Sequence, residues 1–318
     1  MTPLVSVGIP TFNRPEGLDA TVANIRNQTY GNLEIIISDN ASPDRRVAEI
    51  ARAAAAADSR VTYFREPFNR GPKANFESVL LRAAGVFFMW AADDDAWCDE
   101  FIERCVRLHL ASERPLSVVT MEAAYESEDG PYPPFFEGQF FHEDVGDTSP
   151  FERIKRAFLG NYGNIVYGVI KREFLIEQDG ENPITRFWGP SLNEIGLIVQ
   201  LAVRGDFRVI PEVGFHKRAR RLTCDQACWE QVGGFLPLES DLKSHIRSIP
   251  SLAGYHRRVQ VEIDEAIRYL GISDQEKAKL RMLVRIHLWK HWFQLVVRLK
   301  GRNSPKSWLS AVQPRTKR

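Results

Sequence analysis

The chain has 318 residues, 44% hydrophobic and 26% charged with a net charge of +1, the composition of an ordinary soluble globular protein. Its four cysteines, Cys98, Cys105, Cys224 and Cys228, match neither a dense disulfide framework nor a common zinc site, so reduced, mostly buried thiols are expected. No uninterrupted apolar stretch approaches the ~20 residues that span a bilayer.

In chain order, Val5 to Ile9 is an apolar run ended by Pro10, and Pro15 opens a helical pattern with Leu18, Val22 and Ile25 on one face. Leu33 to Ser38 is a second strand, ending at Asp39. An alanine-rich helix then runs from Ser42-Pro43-Asp44 to about Ala57, with Ser42 as the expected cap. Val61 to Phe64 is a third strand; Phe76, Val79, Leu80 and Ala83 mark a helix; Val86 to Trp90 is a fourth strand. Phe101, Cys105 and Leu108 mark another helix and Leu116 to Met121 another strand. Residues 124–150 are rich in Gly, Pro, aromatics and acids and read as a long excursion of the kind that forms lids or binding loops. A strand resumes at Ile165 to Ile170. A helix follows from Leu192 to Arg204, with Ile195, Ile198, Val199 and Ala202 toward a core, then a last short strand, Phe207 to Ile210. Beyond about residue 225 the pattern is helical.

Strands alternating with helices imply βαβ units and a mostly parallel sheet. Such sheets bind ligands outside the carboxyl ends of their strands. Three polar clusters fall at those ends: Pro10-Thr11-Phe12-Asn13-Arg14, Asp39-Asn40, and Asp93-Asp94-Asp95. Three adjacent carboxylates behind a buried strand repel one another and resist desolvation, so a cation is expected among them. Magnesium typically binds through one or two carboxylates plus substrate phosphates. The alternative is a solvated acidic turn before the helix at Phe101.

Three segments, VSVGIPTFNRP, EIIISDNASPD and NRGPKANFESVLLRAAGVFFMWAADDDAW, in this order and spacing, resemble family 2 glycosyltransferases over about residues 3–222. The resemblance implies an α/β fold of the GT-A type, a Rossmann-like, mostly parallel sheet with flanking helices. It implies a hexosyltransferase moving a sugar from a nucleotide donor, usually a UDP-sugar, with inversion. Residues 1–225 would form that domain, with a nucleotide half over 1–122 and an acceptor half over 123–225. Residues 226–318 would be a helical region ending in a basic tail.

The resemblance also implies roles for single residues. Pro10, Thr11, Phe12 and Arg14 would line the nucleotide pocket, and Asp39 would accept from the base imide N–H. Arg70 and Lys73 would reach the nucleotide or its phosphates, with solvated surface charge as the alternative. Asp93 and Asp95 fit a metal-binding DxD pair for Mn²⁺ or Mg²⁺, and Asp93 and Asp94 divide the nucleotide contacts between them. Many relatives carry an aspartate where this chain has Ala92. An inverting transfer needs a general base. Glu194, eleven residues before Gly205, falls at the family's position; Asp206 is the second candidate. Arg218 and Arg220 match a phosphate-contacting segment, although Arg220 stands where relatives have histidine. Trp188 would offer an aromatic platform for sugar or acceptor, with a core role as the alternative.

Residues 281–318 hold ten Lys or Arg and no acid, leaving 32 basic against 41 acidic residues elsewhere. Residues 275–299 read as one long helix with Leu280, Val284, Leu288, Trp292, Leu295 and Leu299 in a stripe. With its tryptophans and basic residues this tail suits an anionic membrane surface. Packing against the domain, or against a second subunit in a homodimer, is the alternative. Pro10 interrupts the first apolar run and no basic segment precedes it, so no signal peptide is expected. The expected place is the cytoplasm, peripheral on the inner membrane face, with a glycan or lipid-linked acceptor and a part in bacterial polysaccharide synthesis. No nucleic-acid module is recognisable in the tail. A nucleotide-sugar-binding protein without transferase activity is the competing functional class.

Overall fold

The computed structural model describes residues 2–127, 130–131, 144–146, 148–159, 163–176, 194–218 and 249–286. The first half alternates β1 (Val5–Thr11), α1 (Pro15–Arg26), β2 (Leu33–Asp39), α2 (Arg45–Ala57), β3 (Val61–Arg65), α3 (Pro72–Leu81) and β4 (Phe87–Trp90). Then come β5 (Asp95–Trp97), α4 (Phe101–Ala111), β6 (Leu116–Ser127), β7 (Gly130–Pro131), α5 (Pro150–Leu159) and β8 (Val169–Lys171). The last described elements are α6 (Ile195–Arg204), β9 (Asp206–Arg218), α7 (Ile249–Arg268) and a helix over 274–286, α8.

One sheet carries these strands in the order β3-β2-β1-β4-β8-β6-β9-β5, with β7 on β6. β3, β2, β1 and β4 pair in parallel, β8 runs antiparallel to both β4 and β6, and β9 pairs in parallel with β6. The carboxyl ends of β1, β2, β4, β6 and β9 therefore share one edge. β5 is antiparallel to β9, so its first residue, Asp95, lies at that same edge opposite Lys217.

Side chains alternate across a strand, and the buried strands use both faces. Ile35 and Ile37, with Phe87 and Met89, join the core under α1, α2 and α4. Ile36, Phe88 and Trp90 join the core under α3, α5 and α6. Gly8 lets α3 approach β1: a Cβ there would lie 2.6 Å from Val79 Cγ2.

Several expectations give way. Asp44, not Ser42, caps α2 by accepting from Arg46 N–H at 3.0 Å. Ser42 is drawn away, its Oγ accepting from Asn13 N–H at 2.8 Å. Residues 165–170 do not form one strand. Gly163–Tyr167 is a 3₁₀ turn and only Val169–Lys171 is extended, as befits a short apolar run without period. The last strand spans 13 residues rather than four, because it leaves the parallel ladder with β6 through register shifts and meets β5. β5 and α5 were not anticipated. Most of the 124–150 excursion and the residues before Glu194 lie outside the described residues.

The C-terminal helices share the core. Leu280 and Val284 on α8 are 1% exposed and, with Ile263 and Ile267 of α7, join the cluster that holds Val199 of α6. The rest of the expected stripe, from Leu288 on, lies outside the described residues. No helix of the described residues is long and apolar enough to cross a membrane. Leu280→Ala is expected to cost about 2–5 kcal/mol as a core truncation. Urea denaturation checks it: a loss below about 0.5 kcal/mol, the range of surface substitutions, would show that α8 does not belong to this core.

Candidate active site

The triplet is splinted by α1. Thr21 Oγ1 donates to the carbonyls of Ala92 and Asp95 at 3.3 and 3.2 Å. Asn24 exchanges two hydrogen bonds with the Trp97 backbone, and Gln28 bonds Cys98 O and Ile102 N–H. Thr21 and Asn24 share a face of α1 and Gln28 follows just past its end; together they satisfy the backbone of residues 92–102, which has only a three-residue strand of its own. Gly17 completes the contact: an added Cβ would stand 2.1 Å from the Asp93 carbonyl. The polar stripe of α1 was legible as a pattern, and its purpose was missed.

The three carboxylates have different surroundings. Asp93 is buried; its Oδ2 accepts from Thr11 Oγ1 at 2.6 Å and its Oδ1 faces Arg14 at 3.4 Å. Burial pushes the Asp93 carboxyl up, against the pull of Thr11 and Arg14. Asp94 is 41% exposed and bonds the same Arg14 nitrogen. Arg14, half exposed, is held in its charged form by both carboxylates, which outweigh the burial of its guanidinium. Asp95 is 1% exposed, and Lys217 Nζ lies 3.7 Å from its Oδ2.

Asp39 ends β2 fully buried. Its Oδ1 accepts from Ser42 N–H at 2.7 Å; its Oδ2 accepts from Tyr63 Oη at 3.0 Å and Arg65 at 2.6 Å. Three donors leave one of its four lone-pair sites open. The turns beyond β1 and β2 hold Asn13 at φ 57° and Ala41 at φ 59°. Non-glycine residues in that region cluster at functional sites. Pro10 and Thr11 are buried and Phe12 and Arg14 face outward. Asn40 pins the next loop through Asn69 Oδ1, Gly71 O and Arg70 N–H. Arg70 itself pairs with Glu66 at 3.7 Å, and Lys73 is exposed.

Glu194 stands at the N-cap of α6. Burial pushes its carboxyl up, while a backbone hydrogen bond and Lys217 pull it down. Lys217, which sequence reasoning missed, sits on β9 with Nζ 4.8 Å from the Tyr167 ring centre. Burial alone would lower its ammonium, yet Tyr167 and the carboxylates of Asp95, Asp94 and Glu194 raise it above the ordinary lysine value. No local pattern announces Lys217; only the β5–β9 pairing brings it to Asp95. Arg218 follows it on β9, whereas Trp188 and Arg220 lie outside the described residues.

Among the described residues no three His, Cys, Asp or Glu converge as a preformed metal cage. The donor set nonetheless suits a hard cation shared with phosphates. Asp93, Asp94, Asp95 and Glu194 against Arg14 and Lys217 leave two formal negative charges in this region.

Asp206 is elsewhere. It opens β9 at the opposite edge of the sheet, buried against Arg114 at 3.0 Å and Arg153 at 3.7 Å. It is therefore corrected from second candidate base to a structural anchor. Asp206→Ala is expected to destabilise the fold by about 3–5 kcal/mol, since the change removes the carboxylate that faces the buried Arg153. Turnover per folded molecule should stay unchanged; denaturation read beside activity decides.

Residues 6–157 match the family model described as Glycosyl transferase family 2. A Campylobacter jejuni GalNAc(5)-diNAcBac-PP-undecaprenol beta-1,3-glucosyltransferase is 36% identical over 94 residues, 29% of this chain and 30% of that one. An Escherichia coli UDP-Glc:alpha-D-GlcNAc-diphosphoundecaprenol beta-1,3-glucosyltransferase, WfgD, is 25% identical over 107 residues, 34% of this chain and 41% of that one. The matches thus span less than half the length of these curated relatives. S. aureus TarS 1-349 superposes with a TM-score of 0.60 at 12% identity, covering 90% of this chain and 72% of that one. Its complex with UDP-GlcNAc gives 0.55 at 13% identity, covering 86% and 69%. The aspartate triplet lies inside the segment that matches glycosyl transferase family 2, and the fold is the GT-A type shared with TarS.

Proposed function

We propose that the protein is an inverting glycosyltransferase that moves a sugar, most simply from a UDP-sugar, to a glycan or lipid-linked acceptor. The observation that carries this reading is the gathering of Asp93, Asp94, Asp95 and Glu194 around Arg14 and Lys217 at the carboxyl edge of the sheet, where α/β folds bind ligands. The curated relatives named above are described as glucosyltransferases whose substrates are joined to undecaprenol through a diphosphate. That supports a lipid-linked acceptor, and with it a working place at the inner membrane face.

In this reading Asp39 receives the base imide N–H on its open lone pair. Arg65, 39% exposed, moves aside to admit the base. Asp93 and Asp94 orient Arg14 toward the nucleotide. Glu194 takes the proton from the acceptor hydroxyl as that oxygen attacks the anomeric carbon. The bond from that carbon to the diphosphate breaks, and its electron pair leaves with the phosphate oxygen. A divalent cation held by Asp93 and Asp95 together with the donor diphosphate would supply positive charge for that departure. Domain limits follow the same reading: residues 1–225 hold donor and acceptor sites, and the helices beyond support them.

Mixing purified protein with UDP-, GDP- and TDP-sugars and Mn²⁺ or Mg²⁺ tests the proposal through donor hydrolysis or transfer. Glu194→Gln is expected to cost roughly 10²–10⁴-fold in kcat, the worth of a general base. Asp95→Asn should raise the metal concentration needed for half-maximal rate. Both variants matching wild type would overturn the assignment. A protein that binds these donors yet turns none over would instead be a nucleotide-sugar-binding protein.

The pH profile gives a separate check. Glu194 acts only when ionised, and its carboxyl is raised above the ordinary 4.5. The rate should therefore rise with pH through a limb centred above 4.5. Glu194→Gln should abolish that limb; an identical limb in the variant would remove Glu194 from the role.

A further inference from the structure

We infer that Lys217 is a diphosphate-binding residue, its ammonium donating to the leaving phosphate of the nucleotide donor. The inference rests on the nucleotide-sugar reading above and adds to it Lys217, which directly precedes Arg218 but is not itself named by the family pattern.

Placement comes first. β9 runs the full depth of the sheet and turns onto β5, so Lys217 is the direct partner of Asp95. Its ammonium thereby stands at the carboxyl edge beside the triplet, and it feels the charges of both Asp94 and Glu194. The proposed acid cluster and the proposed base meet at this one cation.

Its bonding is incomplete. An ammonium carries three N–H donors. The Asp95 oxygen is 3.7 Å away, beyond ordinary hydrogen-bond length near 2.9 Å, and the ammonium donates no hydrogen bond among the described residues. The side chain is nonetheless only 27% exposed, walled by the rings of Tyr167 at 4.8 Å and Phe215 at 6.0 Å. A lysine placed only to neutralise Asp95 would close that gap. One held by two aromatic faces beside the triplet, with donors still unmatched among the described residues, is ready for an anionic ligand. Lysine binds phosphate as a point charge, and in the nucleotide-sugar reading a diphosphate is the anion that reaches this edge of the sheet.

Calorimetric titration of the full chain with UDP and with UMP, each in EDTA and in Mn²⁺, tests this. UMP lacks the second phosphate and reports on the base, ribose and first-phosphate contacts alone. Lys217→Met should weaken UDP at least tenfold in EDTA while leaving UMP within twofold, which also shows the variant is folded. Lys217→Arg should restore most of the UDP affinity. Equal losses for UDP and UMP, or no loss for either, would overturn the role of Lys217 and leave the nucleotide-sugar reading standing. A wild-type protein that binds none of UDP, GDP or TDP, with or without Mn²⁺, would overturn both.

Discussion

Adjacent carboxylates in a buried setting are tolerated only if something holds their charge, and here two cations from distant parts of the chain do so. Arg14 comes from the turn after β1 and bonds Asp93 and Asp94; Lys217 comes from the far end of β9 and stands beside Asp95. The topology follows this requirement. β1 must lie beside β4 for Arg14 and Thr11 to reach Asp93, and β9 must turn onto β5 for Lys217 to reach Asp95. The backbone between them gains nothing from repelling side chains, so α1 supplies its hydrogen bonds through Thr21 and Asn24, and the turn after α1 adds Gln28.

The same economy governs the nucleotide side. Asp39 is wholly buried and remains acceptable there because Ser42, Tyr63 and Arg65 all donate to it. Ser42 is thereby committed: its N–H serves Asp39 and its hydroxyl serves Asn13, so the helix cap passes to Asp44. Ala41 at φ 59° is a local cost of this turn, of order 1 kcal/mol. The surrounding hydrogen bonds hold it there.

What the sequence revealed and what it hid divide by range. β1 to α4, other than β5, are local: each has its own apolar period, Pro or Asp punctuation and a length typical of its kind, so Leu18, Val22 and Ile25 or Ile35 to Ile37 could be placed without partners. β5 is three residues long and is a strand only because residues 215–217 pair with it. Lys217 was invisible for the same reason. The apolar run at 165–170 was misplaced because Gly168 comes too close to β6 for a side chain: a Cβ there would meet Val119 O at 2.6 Å. Asp206 looked like a base because acidity and position in sequence do not say which edge of the sheet a residue occupies. Pairing of Leu116 with Asp206 puts it at the wrong one.

The C-terminal helices complete the logic of the site rather than standing apart from it. Glu194 occupies the N-cap position of α6 without a side-chain capping bond, so where α6 starts sets where that carboxylate begins. α6 is held on one side by the sheet and on the other by α7 and α8, through Ile263, Ile267, Leu280 and Val284 and the hydrogen bond from Gln200 to Ala266 O at 3.2 Å. The apolar stripe of α8 is spent on this contact at its start, which leaves its Leu280 and Val284 turn unable to enter a lipid surface. A shift of α7 or α8 would act on α6 and so on the carboxylate at its start. Packed cores transmit such shifts because they are dense and poorly compressible.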